Sequence, residues 1–149
     1  MNLIIRSAVV VIGTMMLVLA LPAAANADFD NAPKGELSLW QHDSWGGQIE
    51  DRQNVDNDLR NDYCPGCDYP ADTGDFNDDA SSVRNRTGAW WILYEDNGLS
   101  GPRLCVAPHA YDANIGGGDD PTDFEDEISS LERFGQNKPN SCADVILRG

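Results

Sequence analysis

Two stretches of the chain repeat one another, and a duplicated unit constrains a fold more tightly than any single motif. The first runs Trp40-Gln41-His42-Asp43-Ser44-Trp45-Gly46-Gly47: an aromatic, four residues, a second aromatic, one residue, a glycine. The second runs Tyr94-Glu95-Asp96-Asn97-Gly98-Leu99-Ser100-Gly101, with Leu99 where the first copy has its second aromatic. A hairpin folded over so that one ring packs on the next, with glycine accepting the corner backbone, accounts for this spacing. Downstream of each copy stands a hexapeptide, Asn77-Asp78-Asp79-Ala80-Ser81-Ser82 and Glu125-Asp126-Glu127-Ile128-Ser129-Ser130. The offsets are 37 residues from Trp40 to Asn77 and 31 from Tyr94 to Glu125, and a long loop in the first half absorbs the difference.

Around these units the chain reads as all-β. Turn-forming Gly, Asn, Asp, Pro and Ser recur at the spacing of a sandwich or barrel, and helix signals are nearly absent. Strands are expected at 36–40, 48–52, 81–86, 89–94, 104–107 and 128–134, with Val145-Ile146-Leu147 as an added edge. The run Ala89-Trp90-Trp91-Ile92-Leu93-Tyr94 is apolar throughout, as a strand buried on both faces requires. Residues 53–75 lack periodicity and are expected to form a long loop, and 111–123 a second one. Trp40, Trp45 and one of Trp90 and Trp91 are expected in the core, since adjacent residues of a strand face opposite ways.

The amino-terminal 27 residues belong to a different class. Arg6 precedes an apolar run from Ala8 to Leu21, then Pro22 and Ala25-Asn26-Ala27 supply a helix break and a small-x-small cleavage signal. The run is shorter than the roughly 18 apolar residues that a membrane span needs, so 1–27 reads as a secretory signal. Cleavage after Ala27 would leave 122 of the 149 residues, and the loss of Arg6 would move the net charge from −15 to −16. With 25 Asp+Glu against 10 Lys+Arg, the chain is repelled by phosphate backbones and anionic lipid, which excludes nucleic acid and, after cleavage, membranes as general partners. All four cysteines, Cys64, Cys67, Cys105 and Cys142, remain in the mature chain. In an oxidising compartment they read as disulfides with three possible connectivities, a Cys64–Cys67 staple with a Cys105–Cys142 clamp being preferred. No second Cys-x-x-Cys completes a zinc site around Cys64 and Cys67.

Aromatic-x4-aromatic-x-Gly followed by [Asn/Asp]-[Asn/Asp]-x-x-[Ser/Thr]-Ser, present twice, resembles the βγ-crystallin domain. The resemblance covers about Leu37 to Phe134 and implies an all-β, two-sheet Greek-key sandwich of two βγ-crystallin-type motifs, here disulfide-braced. It divides the chain into a signal peptide (1–27), a disordered lead-in (28–35), the domain proper (36–135, motif one 36–87 and motif two 89–135) and a tail (136–149) tied by Cys142. Two positions depart from the pattern: Leu99, which should loosen the second hairpin corner, and Glu125, which should reshape the second hexapeptide.

The resemblance also implies a metal. Calcium takes six to eight oxygen ligands, and each hexapeptide offers carboxylates followed by a hydroxyl. In βγ-crystallins each loop lends its fifth-position hydroxyl to the ion centred on the other. Carried over, Asp78 with Ser129 would serve one ion and Asp126 with Ser81 the other. Asn77, Asp79, Glu125 and Glu127 stand beside them, with carbonyls near Asp79, Glu127, Asp43 and Asn97 completing the shells. The plainer alternative is that Asn, Asp and Ser cap turns through local hydrogen bonds. Other acidic stretches are weaker. Asp112 to Asp123 begins like an EF-hand but lacks its Glu, and Gly116-Gly117-Gly118-Asp119 is a lone copy of a repeat motif; both read as solvated loop. Asn85-Arg86-Thr87 is a glycosylation sequon.

No catalytic constellation emerges: His42 and His109 sit in turn settings without a Ser or metal motif, and the cysteines are paired rather than reactive. The chain reads as a non-enzyme. A second resemblance is to the Streptomyces metalloproteinase inhibitor family, which likewise combines a signal peptide, a crystallin-like sandwich, two disulfides and strand starts such as Ser81-Ser82-Val83 and Ser129-Ser130-Leu131. It implies an extracellular protease as partner and a braced loop presented to it, with 62–69 and 105–109 as candidates and Cys105-Val106 as a possible contact.

Overall fold

The computed structural model describes residues 29–64, 67, 74–116, 123–142 and 146–147. The leader at 1–27 lies outside them, as do 117–120 of the glycine-rich stretch and 68–73 of the first long loop. Strand β1 (Leu37–His42) turns back through Asp43–Trp45 into β2 (Gly46–Arg52), and β3 (Ser82–Asn85) pairs on the other side of β1. The second half repeats this: β4 (Trp91–Asp96), β5 (Ser100–Val106) and, past a two-residue edge strand β6 (Tyr111–Asp112), β7 (Ser130–Arg133). A final strand, β8 (Ile146–Leu147), lies parallel to β5.

Two four-stranded sheets result, in the orders β2-β1-β3-β6 and β7-β4-β5-β8. Each half contributes a piece to the other's sheet. β6, from the second half, pairs antiparallel with β3, and Asp56, from the first, exchanges backbone bonds of 2.8 and 2.7 Å with Leu131 on β7. This exchange is what makes the two halves one sandwich rather than two hairpin units. Alternation along β1 and β4 sends Leu37, Leu39, Trp91 and Leu93 to the shared interior, where they meet Leu59, Phe76, Val83, Ile128 and Leu131. A smaller cluster of Ile92, Tyr94, Cys105 and Cys142 lies apart from it, with Trp90 and Leu99 against it. Both disulfides form, Cys64–Cys67 and Cys105–Cys142, with Cα separations of 5.5 and 5.7 Å.

The all-β sandwich expected from the repeat is the fold found, and local differences have physical causes. The lead-in is not disordered from Phe29 onward: Phe29–Asn31 form a short 3-10 turn, with the Phe29 ring packed on Trp45 and Tyr111 at centroid distances of 4.5 and 5.2 Å. Trp45 is accordingly only partly buried, whereas Trp40 and Trp91 are fully enclosed. The stretch after Tyr111 is not a free loop either, because the unpaired edge of β3 accepts β6 and Ile115 is buried beyond it. The Asn85 sequon cannot carry a glycan in the folded chain. Asn85 is 1% exposed, and its amide nitrogen donates to Ala89 O and Ala107 O at 2.8 and 2.7 Å.

Candidate metal centre

The duplicated sequence becomes a duplicated hydrogen-bond plan. Register shifts occur between Trp40 and His42 and again between Tyr94 and Asp96, the same place in each hairpin. The corner residues Trp45 and Leu99 both take left-handed backbone, with φ of 63° and 59°. Their N–H groups donate to Ser82 Oγ (3.2 Å) and Ser130 Oγ (3.1 Å), the last residue of each hexapeptide. Those hydroxyls in turn donate to His42 O (2.8 Å) and Asp96 O (2.6 Å). Leu99 therefore keeps the backbone corner that Trp45 makes, and the loosening expected there is not seen. The motif glycines are explained by crowding: a Cβ on Gly47 would come within 2.8 Å of the Gln41 side chain, and one on Gly101 within 2.5 Å of the Asp96 carboxylate. Both also have positive φ, 75° and 82°.

The hexapeptides cross. Asp78 N donates to Ile128 O and Asp126 N to Ala80 O, each at 3.1 Å, so the two turns lie back to back. Asp78 and Asp126 share a left-handed φ of 56°, which Asp tolerates better than most residues. Their side chains then meet the opposite serines: Ser129 Oγ donates to Asp78 Oδ1 at 2.7 Å, and Ser81 Oγ donates to Asp126 Oδ1 at 3.2 Å and to Gln41 O at 2.8 Å. Each crossed pair borders a concavity. One, of about 360 Å³, is lined by Gln41, His42, Asp43, Asp79, Ser81, Glu125 and Asp126. The other, of about 470 Å³, is lined by Asn77, Asp78, Glu95, Asn97, Glu127 and Ser129 among others. All ten residues singled out in the hexapeptides and hairpins thus fall on these two cradles.

Not every predicted group is equally available. The Asn97 side-chain amide nitrogen donates to Ser129 O and to Asp58 Oδ1, at 2.8 and 3.0 Å, and its side-chain oxygen accepts from Arg60 Nε at 3.0 Å, while the Asn97 main-chain carbonyl accepts from Ser100 Oγ at 3.1 Å. Asp43 Oδ2 accepts from Asn114 Nδ2 at 2.9 Å, tying the first hairpin to the turn that follows β6. Gln41 and Glu95, at equivalent repeat positions, line the two cradles, and the repeat register alone would have found them. Arg60 also reaches the second cradle, held by Asp58 at 2.7 and 2.9 Å, and no sequence signal pointed to it. Cys105 and Val106 prove wrong as a presented loop. Both are fully buried in β5, which is paired to β4 on one side and β8 on the other, so no cleft can reach that bond.

The electrostatics are those of crowded carboxylates. Burial holds Asp126 above its ordinary value, with Asp43 and Asp123 adding repulsion against the bond from Ser81. Glu50, Asp51 and Asp62 are raised as well, burial again being the first cause. An acid whose pKa is higher folded than unfolded binds protons more tightly in the native state, so stability falls as pH climbs past its unfolded value. From ordinary values of 3.8 and 4.5, the loss begins in that range and continues upward. In metal-free buffer the melting midpoint should therefore decline as pH climbs over the interval above about pH 4, as growing self-repulsion also demands. A midpoint that climbs across that interval in calorimetry would contradict this.

The family model of peptidase inhibitor family I36 matches residues 25–106. Among solved structures, a chain studied for the evolution of the eye-lens βγ-crystallin domain fold superposes with a TM-score of 0.52 at 19% identity, covering 68% of this chain and 87% of that one. A βγ-crystallin from Ciona intestinalis gives 0.48 at 28% identity, over 66% and 99% of the two chains. A βγ-crystallin domain from Flavobacterium johnsoniae gives 0.49 at 19% identity, over 69% and 98%. Comparison with curated protein sequences yields no match. The family matched is one of peptidase inhibitors, which points to a non-enzymatic protein. With the match spanning more than half of its length, the chain belongs to peptidase inhibitor family I36, built on a βγ-crystallin sandwich.

Proposed function

We propose that the chain is a secreted calcium-binding domain in which each cradle takes one ion. The observation that carries this reading is the crossed pairing of Ser129 with Asp78 and Ser81 with Asp126, which puts a carboxylate from one half beside a hydroxyl from the other. The donor set is all oxygen, as a hard cation prefers. Asn77 supplies the fit: it is buried, it lines the second cradle, and its Oδ1 has no hydrogen-bond donor, a cost that a bound cation would remove. Asp78, Ser129, Asn77 and Glu127 would hold one ion, Asp126, Ser81, Glu125 and Asp79 the other, with Asp43 and Asn97 contributing from the hairpins. Bound calcium would neutralise the clustered carboxylates and fasten the two halves together. Secretion is supported by the leader-like sequence at 1–27 and by the two disulfides.

Calcium at a hundred times its dissociation constant should stabilise the mature protein by about 2.7 kcal/mol per site, raising the melting midpoint by several degrees. Asp78→Asn and Asp126→Asn should each remove about half of that gain while leaving the metal-free midpoint unchanged or higher. An identical midpoint in EDTA and in excess calcium would refute the reading.

The family match favours a second role, inhibition of an extracellular peptidase. With Cys105-Val106 buried, 107–109 and the 62–69 stretch, of which 65, 66, 68 and 69 lie outside the described residues, remain as candidates; in the latter Tyr63 is 81% exposed, is fixed by a bridge to Asp75, and precedes the buried Cys64–Cys67 staple. An exposed side chain on a braced backbone, as Tyr63 is, loses little entropy on entering a cleft. Incubation with a thermolysin-like peptidase and a reporter peptide tests this: slowed cleavage that Tyr63→Ala relieves is expected, and unaltered cleavage at molar excess would exclude it.

A further inference from the structure

We infer that the concavity between the lead-in and β3 binds a small oxyanion, phosphate being its simplest occupant. The hollow, of about 280 Å³, is lined by Lys34, Arg84, Asn85, Arg86 and His109, and no carboxylate is in that lining. This is anomalous in a chain with 25 acidic residues against 10 basic ones. Two other arginines are spent on carboxylates: Arg52 on Glu50 (2.6 Å), Asp56 (3.3 Å) and Asp62, and Arg60 on Asp58. If the cations served only to relieve acidic repulsion, they would be distributed in the same way here. Arg84 does form one ion pair, with Asp30 at 3.6 Å, but 84% of the Asp30 side chain is exposed.

The cationic groups are held in place. Arg84 and Arg86 are two residues apart on the β3 line, so their side chains leave on the same face. Each Nη1 donates to a lead-in carbonyl, Arg84 to Phe29 O and Arg86 to Ala32 O, and Arg84 also lies over the Phe29 ring, 3.4 Å from its centroid. A guanidinium has five N–H donors, so one such bond orients it without exhausting it. The floor is rigid as well: Asn85 is tied to Ala89 O and Ala107 O by its side chain and to Ala110 O by its N–H (2.8 Å), which fixes β3 to the turn bearing His109. Like charges set side by side repel, and an anion between them converts that repulsion into charge-assisted bonds. Lys34, the arginine pair and His109 come from three separate segments. A tetrahedral oxyanion can meet donors from several directions, whereas a planar carboxylate is satisfied by a single fork.

The test uses the mature chain in chelator-stripped, calcium-free buffer, so its outcome is independent of the cradles. Inorganic phosphate is titrated at fixed ionic strength, with chloride as the control, while amide and arginine Nε resonances are followed by NMR. Saturable shifts at 84–86 and 109 are expected. Lys34→Gln, at an exposed position where folding is not at risk, should weaken binding about tenfold, Arg86→Gln more, and Arg86→Lys less than Arg86→Gln. Glycerol phosphate binding more tightly than inorganic phosphate would assign the site to a phosphoryl group on a larger molecule, and weaker binding to the free ion. Shifts that do not saturate, that chloride reproduces, or that Lys34→Gln and Arg86→Gln both leave unaltered would overturn the site.

Discussion

Replacing Cys105 and Cys142 together by alanine should lower the unfolding free energy by about 4 kcal/mol, whereas replacing Cys64 and Cys67 should cost about 2 kcal/mol. The difference follows from loop length. The first bridge closes a separation of 37 residues and the second only 3, so the first removes far more freedom from the unfolded chain. Packing widens the gap. Cys105 and Cys142 are fully buried beside Ile92 and Tyr94, and truncating both sulfurs leaves a small void in that cluster. Alanine is preferable to serine, because a hydroxyl at either place would be buried without a partner. Urea unfolding of the two double variants measures both numbers. Equal losses, or a larger one for Cys64 and Cys67, would mean that chain entropy is not what these bridges mainly control. A loss near 4 kcal/mol is a large share of the total stability of a domain this size.

The sequence made the architecture legible because the repeat carries its own register. Spacing from Trp40 to Gly47 and from Tyr94 to Gly101 located both hairpins, whereas the bonds to Ser82 and Ser130 that close them emerged only from the structure. The crossed pairs of Asp78 with Ser129 and Asp126 with Ser81 were implied by family resemblance, and no residue pattern within one half could have announced contacts 45 and 51 residues apart. What stayed hidden shares a cause. Phe29, Trp45, Tyr111 and Arg84 come together only because the lead-in folds back across β3, and β6 exists only because β3 has an open edge. Local propensity does not encode either event. Arg60 entered the second cradle for the same reason, carried there by a short turn at Leu59–Asn61 inside a loop without periodicity. Cys105-Val106 was misread because a cysteine beside an apolar residue looks alike in a braced loop and in a central strand.

Charge separates into two populations once the fold is known. Carboxylates gather at the two cradles formed by the hexapeptides, while Lys34, Arg84 and Arg86 gather at the lead-in face. A formal charge of −15 therefore describes neither surface well. Steering of a partner depends on the local field rather than on the sum. A cation would be drawn to one face and an anion to the other, and Asn85 ties the lead-in face to the interior that supports both.

That interior sets the last expected result, a loss of about 3–5 kcal/mol on Trp91→Ala. Trp91 is fully buried between Val106 on β5 and Arg133 on β7, at the centre of the second sheet. Its Nε1 donates to Thr87 Oγ1 at 3.1 Å, and the same oxygen accepts from Ala89 N at 3.1 Å while donating to Asn85 Oδ1 at 2.7 Å. This network spans the junction between the halves. Trp91→Phe keeps most of the volume and removes only the indole donor, so it should cost under half as much as alanine. Thr87 retains its other partners in that variant, and no buried group is orphaned. Thr87→Val, by contrast, leaves both Ala89 N and the indole N–H without an acceptor and should cost about 1–3 kcal/mol. A double-mutant cycle between Trp91→Phe and Thr87→Val should give a coupling of about 0.5–1.5 kcal/mol, read from urea midpoints at constant slope. Zero coupling would show that Thr87 braces the junction without the tryptophan. A Trp91→Ala loss below about 1 kcal/mol would show that the sandwich interior closes around the void, which a close-packed core of this kind resists.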